Sequence, residues 1–365
     1  MHVGFDRQAF LRQKHGGISR YFSDLYFEIK KRQDNKISAL LLFQKHQNSY
    51  LSEEGIGVNL NSINARFYIK ALESLNPRIR ISSKVDVHHA TYYMGRPYRK
   101  NSKAILVSTL HDMNPEKYPR YFRKNPHLNK REWLSESDLI VSVSKASAED
   151  LLETMPQLST RLKVIHLHSR FNSHSDKKKP GVFYLDGREY LLYIGSRTGC
   201  KNASILLEAF AKCSPKRNNL KLIFAGGGSF VKEEKKLINA LGLSTHVQQM
   251  NVSDEELWYL YTYAKAVVVP SIGEGFSLPL VEALSADVPV ICSKISVHWE
   301  VAGLYGEFVD PRNIQEWVDI FNSLDKLAKP SHKLKSKEYR KLCEYYSISR
   351  MANQHIQEYI NLCPQ

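Results

Sequence analysis

The stretch 266–293, AVVVPSIGEGFSLPLVEALSADVPVICS, sets the fold class of this chain. It opens on an apolar run, crosses a loop holding Gly273 and Gly275, enters a helix-period segment near Leu278, and closes on a second apolar run at 289–293. Uninterrupted Val and Ile runs separated by one helix length suit parallel strands buried on both faces. Pro279 fits only the first turn of that helix, where a missing amide breaks no bond, and Ser277 stands where a cap is expected. The same rhythm extends upstream through 247–251, 220–225 (LKLIFA) and 190–195 (YLLYIG), and through 163–167, 138–144, 104–110, 85–90 and 37–43 in the first half. The expected fold is α/β, with two doubly wound, Rossmann-like domains facing each other across a cleft. The expected boundaries are 1–170 for the first domain, a polar linker at 171–188, 189–345 for the second domain, and a C-terminal helix, 346–365, returning to the first domain.

The 365 residues are enough for two cores, and 42% hydrophobic with 24% charged residues excludes extended disorder. No run approaches the roughly 18 apolar residues of a membrane span, and Met1 leads straight into a strand-like run, so the chain is expected to stay in the cytoplasm. Cysteines 200, 213, 292, 343 and 363 form no C-x-x-C pair and read as reduced structural thiols. The net charge of +15 is lopsided, since residues 1–170 hold 28 basic against 16 acidic side chains. Such a field implies an anionic partner: nucleic acid, anionic lipid or a phosphorylated substrate.

Doubly wound folds bind ligands beyond the carboxyl ends of their strands, so the turns after strands hold the candidates. Gly16-Gly17 opens a helix running to about Arg32, and two glycines there let an anion approach free amides. Arg197 and Lys201 place a planar fork and a point charge in one loop after 190–195, a combination suited to a diphosphate. Gly226-Gly227-Gly228 is not the dinucleotide fingerprint, because Val231 stands where its last glycine belongs, and only close backbone approach is assigned to it. Glu274 lies in the loop before the helix and Glu282 on the helix itself. One carboxylate can grip hydroxyls while the other accepts two hydrogen bonds from a vicinal diol such as ribose, and the amides of Gly275, Phe276, Ser277 and Leu278 can meet an anion. His111 ends the strand at 104–110. By itself it reads as a satisfied strand-end histidine, the reading kept for His88 and His89. No D-x-D pair occurs to hold a metal against a diphosphate.

With these motifs the chain resembles retaining, nucleotide-sugar-dependent glycosyltransferases of family 4, which have the GT-B architecture, and among them bacterial mannosyltransferases of surface polysaccharide synthesis. The match runs through Gly16-Gly17-Ile18, His111-Asp112, Ser144, Arg197 with Lys201, Glu274 through Glu282, Pro289-Val290-Ile291, Glu300-Val301 and Phe308-Val309-Asp310-Pro311. The resemblance implies transfer of a hexose, first of all mannose from GDP-mannose, to a glycan acceptor, lipid-linked, in lipopolysaccharide or O-antigen synthesis. It implies a donor site on the second domain and an acceptor site on the first. His111, Glu274, Arg197 and Lys201 would be catalytic, and Gly16, Gly17, Gly275 to Leu278 and Glu282 would bind donor. No cofactor and no metal are expected beyond the nucleoside diphosphate sugar itself. Departures include Asn202, Ser277 in place of a frequent glycine, and Ile348 in place of a common Trp. Rival readings are a nucleotide-sugar epimerase or hydrolase on the same fold, and a nonenzymatic nucleic-acid binder using the +15 charge.

Two first-half segments combine cations and aromatics. Residues 62–84 carry five basic residues and one acid, and 117–131 carry Lys117, Arg120, Arg123, Lys124, Lys130 and Arg131 with no acid. With Phe67, Tyr68, Tyr118, Tyr121 and Phe122 interleaved, they form the expected acceptor and membrane side. The partners expected are therefore the donor, the acceptor and the anionic cytoplasmic face of an inner membrane, with no nucleic acid.

Overall fold

The computed structural model describes residues 1–32, 36–60, 62–99, 101–171, 189–213, 220–333 and 336–363. Apart from Phe171, the linker expected at 171–188 lies outside the described residues. Two compact units emerge, one formed by Met1–His168 with Ser347–Gln365 and the other by Ser169–Tyr346.

The first unit is built on β1 (His2–Phe5), β2 (Ser38–Leu41), β3 (Val87–Ala90), β4 (Ile105–Leu110), β5 (Leu139–Ser142) and β6 (Leu162–Val164). They pair in parallel in the order β6-β5-β4-β3-β1-β2. Strand order reverses between β1 and β3, the switch point of a doubly wound sheet. On one face lies α1 (Gly17–Lys30), whose buried Phe22, Leu25, Tyr26 and Ile29 recur at helical spacing. At roughly 1.5–3 kcal/mol per buried large apolar side chain, this face outweighs the penalty of about 1 kcal/mol for a helical glycine at Gly17. The C-terminal helix Ile348–Leu362 packs on α1 and buries Met351, Ala352, Ile356 and Tyr359 in the same core. Trp133, Leu134, Leu106 and Ile140 form a separate core in this unit. Two further helices matter below: α2 (Ser62–Leu75) and α3 (Lys145–Thr154), the latter capped by Ser144, whose hydroxyl accepts the Ser147 amide at 3.0 Å.

The second unit uses β7 (Glu189–Ile194), β8 (Leu220–Ala225), β9 (Val247–Met250), β10 (Ala266–Val269), β11 (Val290–Ser293) and β12 (Gly306–Val309). All pairs are parallel, in the order β9-β8-β7-β10-β11-β12. This is the dinucleotide-type order, with its switch point between β7 and β10. Helices α4 (Ala203–Cys213), α5 (Asp254–Tyr263), α6 (Leu278–Ser285) and α7 (Ser296–Ala302) follow the strands, around a core of Leu191, Phe210, Leu222, Phe224, Trp317 and Phe321. β12 was not among the expected strands. It is a short, half-buried edge, so its residues lack the continuous apolar signal of the others. Among the described residues, no helix is long and apolar enough to cross a membrane.

Candidate functional site

In the second unit the switch point sets two loops side by side, 195–202 after β7 and 270–277 after β10. Direct bonds knit them together: the Ile272 amide donates to Cys200 O at 2.7 Å, and Asn202 Nδ2 donates to Pro270 O at 3.2 Å. Asn202 adopts φ 54°, a left-handed conformation that asparagine tolerates better than most residues.

Across this junction Lys201 Nζ donates to both oxygens of Glu274, at 2.7 and 2.6 Å, and Ser271 Oγ adds a third bond at 2.6 Å. The Glu274 side chain is 8% exposed and that of Lys201 38%, so the pair has one buried and one wet end. Burial alone would raise the Glu274 carboxyl; the Lys201 ammonium and the bonds from Lys201 and Ser271 overcome this and hold it below its ordinary value. The arrangement is a buried carboxylate able to accept hydroxyls beside a cation able to meet an anion.

Arg197 is placed differently. Its Nε and Nη2 donate to the two oxygens of Glu234 at 2.7 and 3.2 Å, Nη1 donates to Gly226 O, and Nη2 also reaches Gly228 O and Ser229 O. Its side chain is 5% exposed, with the guanidinium 4.9 Å from the Phe230 ring centre. The open phosphate fork expected at this position is thus occupied by protein acceptors, tying its loop to the glycine turn after β8. That turn allows close approach: at φ 70°, a Cβ on Gly227 would lie 2.4 Å from Gly195 O.

Gly275, Phe276, Ser277 and Leu278 lead into α6, which carries Glu282 buried on its second turn, its Oε2 accepting the Tyr261 hydroxyl at 2.7 Å. Ser277 occupies the cap position, but the expected capping bond is absent. Its φ of 79° turns the side chain out of capping geometry, and its buried Oγ has no partner. A glycine would take that backbone without strain.

The remaining candidates lie in the first unit. Gly16 caps α1 without a side chain, and Gln13 Oε1 fills the space a Cβ would need while accepting the Ser19 amide at 2.9 Å. His111 follows β4 and packs 5.9 Å from Phe22 of α1. Its Nε2 is 3.3 Å from Thr91 O, and because a carbonyl only accepts, Nε2 carries the proton. Burial pushes its pKa down to about 3 against the Thr91 carbonyl and Asp112, so the ring is neutral. Arg120, Arg123 and Lys124 are exposed on a separate segment, Arg120 lying 4.9 Å from the Tyr121 ring centre. Lys130 is a correction to the basic surface: it is 1% exposed and donates to Glu116 Oε2 and Asp112 O, each at 2.7 Å.

Sequence reasoning passed over His298 on α7. It is fully buried, its Nδ1–H donates to Ser293 O at 2.9 Å, and Nε2 is left as an acceptor without a partner. Burial lowers its pKa to about 4, against the attraction of Glu274. The segments Pro289-Val290-Ile291 and Glu300-Val301 flank it without including it, so only its tertiary surroundings reveal it.

Residues 175–341 match the family described as glycosyl transferases group 1. The matched stretch contains Arg197, Lys201, Glu274 and Glu282. The chain is similar to O-antigen chain mannosyltransferase B of Escherichia coli, 29% identical over 263 residues, 67% of this chain and 68% of that protein. It is also similar to the O-antigen chain mannosyltransferase RfbU of Salmonella typhimurium, 26% identical over 222 residues and 60% of each chain. In fold it resembles Anabaena Alr3699/HepE, crystallised with UDP-glucose, at a TM-score of 0.71 and 20% identity over 99% of this chain and 100% of that one.

Proposed function

We propose that this glycosyltransferase moves a hexose, mannose from GDP-mannose as the first reading, to a glycan acceptor with retention at the anomeric carbon. The acceptor is read as lipid-linked and the process as surface polysaccharide synthesis on the cytoplasmic face of the inner membrane. The observation carrying the reading is the Lys201–Glu274 pair across the β7/β10 switch point, where doubly wound folds bind nucleotides. A donor diphosphate competes for Lys201 and releases Glu274 oxygens toward sugar hydroxyls. As the diphosphate departs, Lys201 and the amides opening α6 stabilise its growing charge, with no metal in the step. Arg197 positions the loop through Glu234 and adds to the positive field. Glu282, steadied by Tyr261, accepts from the ribose diol. In the first unit Gly16, Gly17 and neutral His111 are read as able to meet phosphate and sugar groups. The names of the two enterobacterial relatives support mannose, and the UDP-glucose bound by the Anabaena protein supports a nucleoside diphosphate sugar as donor class.

Thermal shift with GDP, UDP and dTDP, followed by transfer from GDP-mannose with the product's anomeric configuration read by NMR, tests the proposal. GDP at 100 times its dissociation constant should add about 2.7 kcal/mol. Binding of no nucleoside diphosphate, or rapid release of free sugar without acceptor, overturns it.

A further inference from the structure

His298 of the second unit is a buried titratable group that the mechanism above leaves unused. Its ring is wholly buried and its Nδ1–H is donated to Ser293 O at 2.9 Å, so in the neutral form Nε2 carries a bare lone pair. Among the described residues that Nε2 has no hydrogen-bond partner, and neither have the buried hydroxyls of Ser293 and Ser277. A buried polar atom left without a partner is destabilising.

The fold sets this ring beside the Lys201–Glu274 pair. β10 and β11 pair with Val269 opposite Cys292, which puts Ser293 next to the start of the loop 270–277, and α7 packs on α6 at the other end of that loop. The charges acting on the ring are Glu274, which attracts a proton there, and Lys201, which repels it. Burial opposes the charged ring more strongly than either, and the pKa of about 4 leaves it neutral. The elements packed on α7 bring further titratable groups: Glu282 of α6, bonded by Tyr261; Cys292 of β11, kept as a thiol by burial; Glu307 of β12; and Tyr305 in the turn that follows. α7 itself carries Glu300.

Glu274 thus has two basic groups in its field, of which only the lysine is charged at neutral pH. At 38% side-chain exposure, Lys201 is the one that a diphosphate can draw away. Two things then change at His298 while its burial stays the same. The phosphate charges cancel the repulsion from Lys201, and Glu274, 8% exposed, loses the ammonium that neutralised it. Both changes favour a proton on Nε2. A buried carboxylate stripped of its partner is costly, and a protonated imidazole offers it a new one.

We propose that His298 is a positioning residue for Glu274: as the donor's diphosphate draws Lys201 away, His298 takes a proton from solvent on Nε2 and becomes the counter-cation that keeps Glu274 ionised and in place. The proton returns to solvent when the nucleoside diphosphate leaves and Lys201 closes back on Glu274. The inference rests on the donor reading above and adds to it a proton bound together with the donor. A group that gains a proton on binding makes affinity highest at low pH, and the advantage is lost as pH rises through the group's value in the complex.

Isothermal titration of the full chain with GDP-mannose and with UDP-glucose, in buffers of different ionisation enthalpy, counts the protons. Both probes carry fully ionised diphosphate diesters, so the ligand itself exchanges no proton between pH 5 and pH 7.5. At pH 5.5 an uptake of at least about 0.2 proton per donor is expected, the effect of an opposite charge gained near such a group. Affinity should fall severalfold from pH 5 to pH 7.5. His298→Gln keeps a donor for Ser293 O and an acceptor in place of Nε2, and should abolish the uptake and flatten the pH dependence. Should that variant fail to fold, the 13C shifts of the histidine Cε1 atoms in the wild-type chain read the same event, as one buried ring moving to the protonated position on adding donor. Donor binding without proton uptake, or uptake that survives in His298→Gln and so belongs to another group, overturns the role of His298 and leaves the donor reading standing. Failure of both nucleotide sugars to bind overturns the donor reading itself, and this inference with it.

Discussion

Replacing Lys201 with alanine tests the core of the site through stability as well as activity. The substitution removes both bonds to Glu274 and leaves a carboxylate, 8% exposed, held by the Ser271 hydroxyl. Stripping one partner from a fully buried pair costs about 3–5 kcal/mol. Here the lysine side chain is 38% exposed, so solvent screens part of the attraction, and a loss of about 1–3 kcal/mol is expected. For a unit of this size that corresponds to roughly 2–10 °C in Tm. The sign with pH follows from Glu274. In the native protein its pKa is depressed, so its stabilisation is present above the unfolded value near 4.3 and lost as pH falls through the lower folded value. In Lys201→Ala, burial loses its main counterweight and the folded pKa rises above the unfolded one. The variant's deficit should therefore be largest at pH 7 and shrink as pH falls toward 4, where the isolated carboxyl takes a proton. Adding Glu274→Gln should restore much of the loss at pH 7. Paired thermal melts of wild type, both single variants and the double variant at pH 7 and pH 4 read this directly. A deficit that stays constant between the two pH values, or no deficit at pH 7, refutes the coupling. Turnover by Lys201→Ala should fall on the order of 100- to 1,000-fold, the usual effect of deleting a donor to a developing anion.

Gly227→Ala should destabilise by roughly 2–4 kcal/mol, because a positive φ adds to a collision with Gly195 O, whereas Gly228→Ala meets nothing within 4 Å and should cost only about 1 kcal/mol. Equal chemical denaturation midpoints for the two would exclude close approach as the reason for the glycine turn. EDTA should leave transfer unchanged; loss with EDTA and recovery with magnesium would replace the metal-free mechanism. Co-sedimentation should show binding to anionic but not neutral vesicles, weakened by salt and by changing Arg120, Arg123 and Lys124 to Ser, with α2 contributing exposed Ile63 and Phe67. Equal binding to neutral vesicles would sink the membrane reading.

The two α/β units were legible because strands buried on both faces write continuous Val and Ile runs, and the glycines, Pro279 and charged loops mark the turns between them. The candidate residues of the second unit were legible for the same reason: strand ends are local features, and binding sites in this fold lie just beyond them. Partners across the fold were not local. Lys201 and Glu274 are 73 positions apart and meet because β7 pairs with β10 rather than with its sequence neighbour alone. Arg197 read as an open fork because nothing near it in sequence announces Glu234, and His298 lacked any motif because its missing partner is a property of its buried surroundings. Periodicity and turn chemistry act over a few residues, so the sequence by itself determined which elements form and which loops carry charge. Strand order, burial and the pairing of distant charges depend on long-range packing, and only the tertiary structure decided which candidate side chains are already committed to the protein and which remain for a ligand.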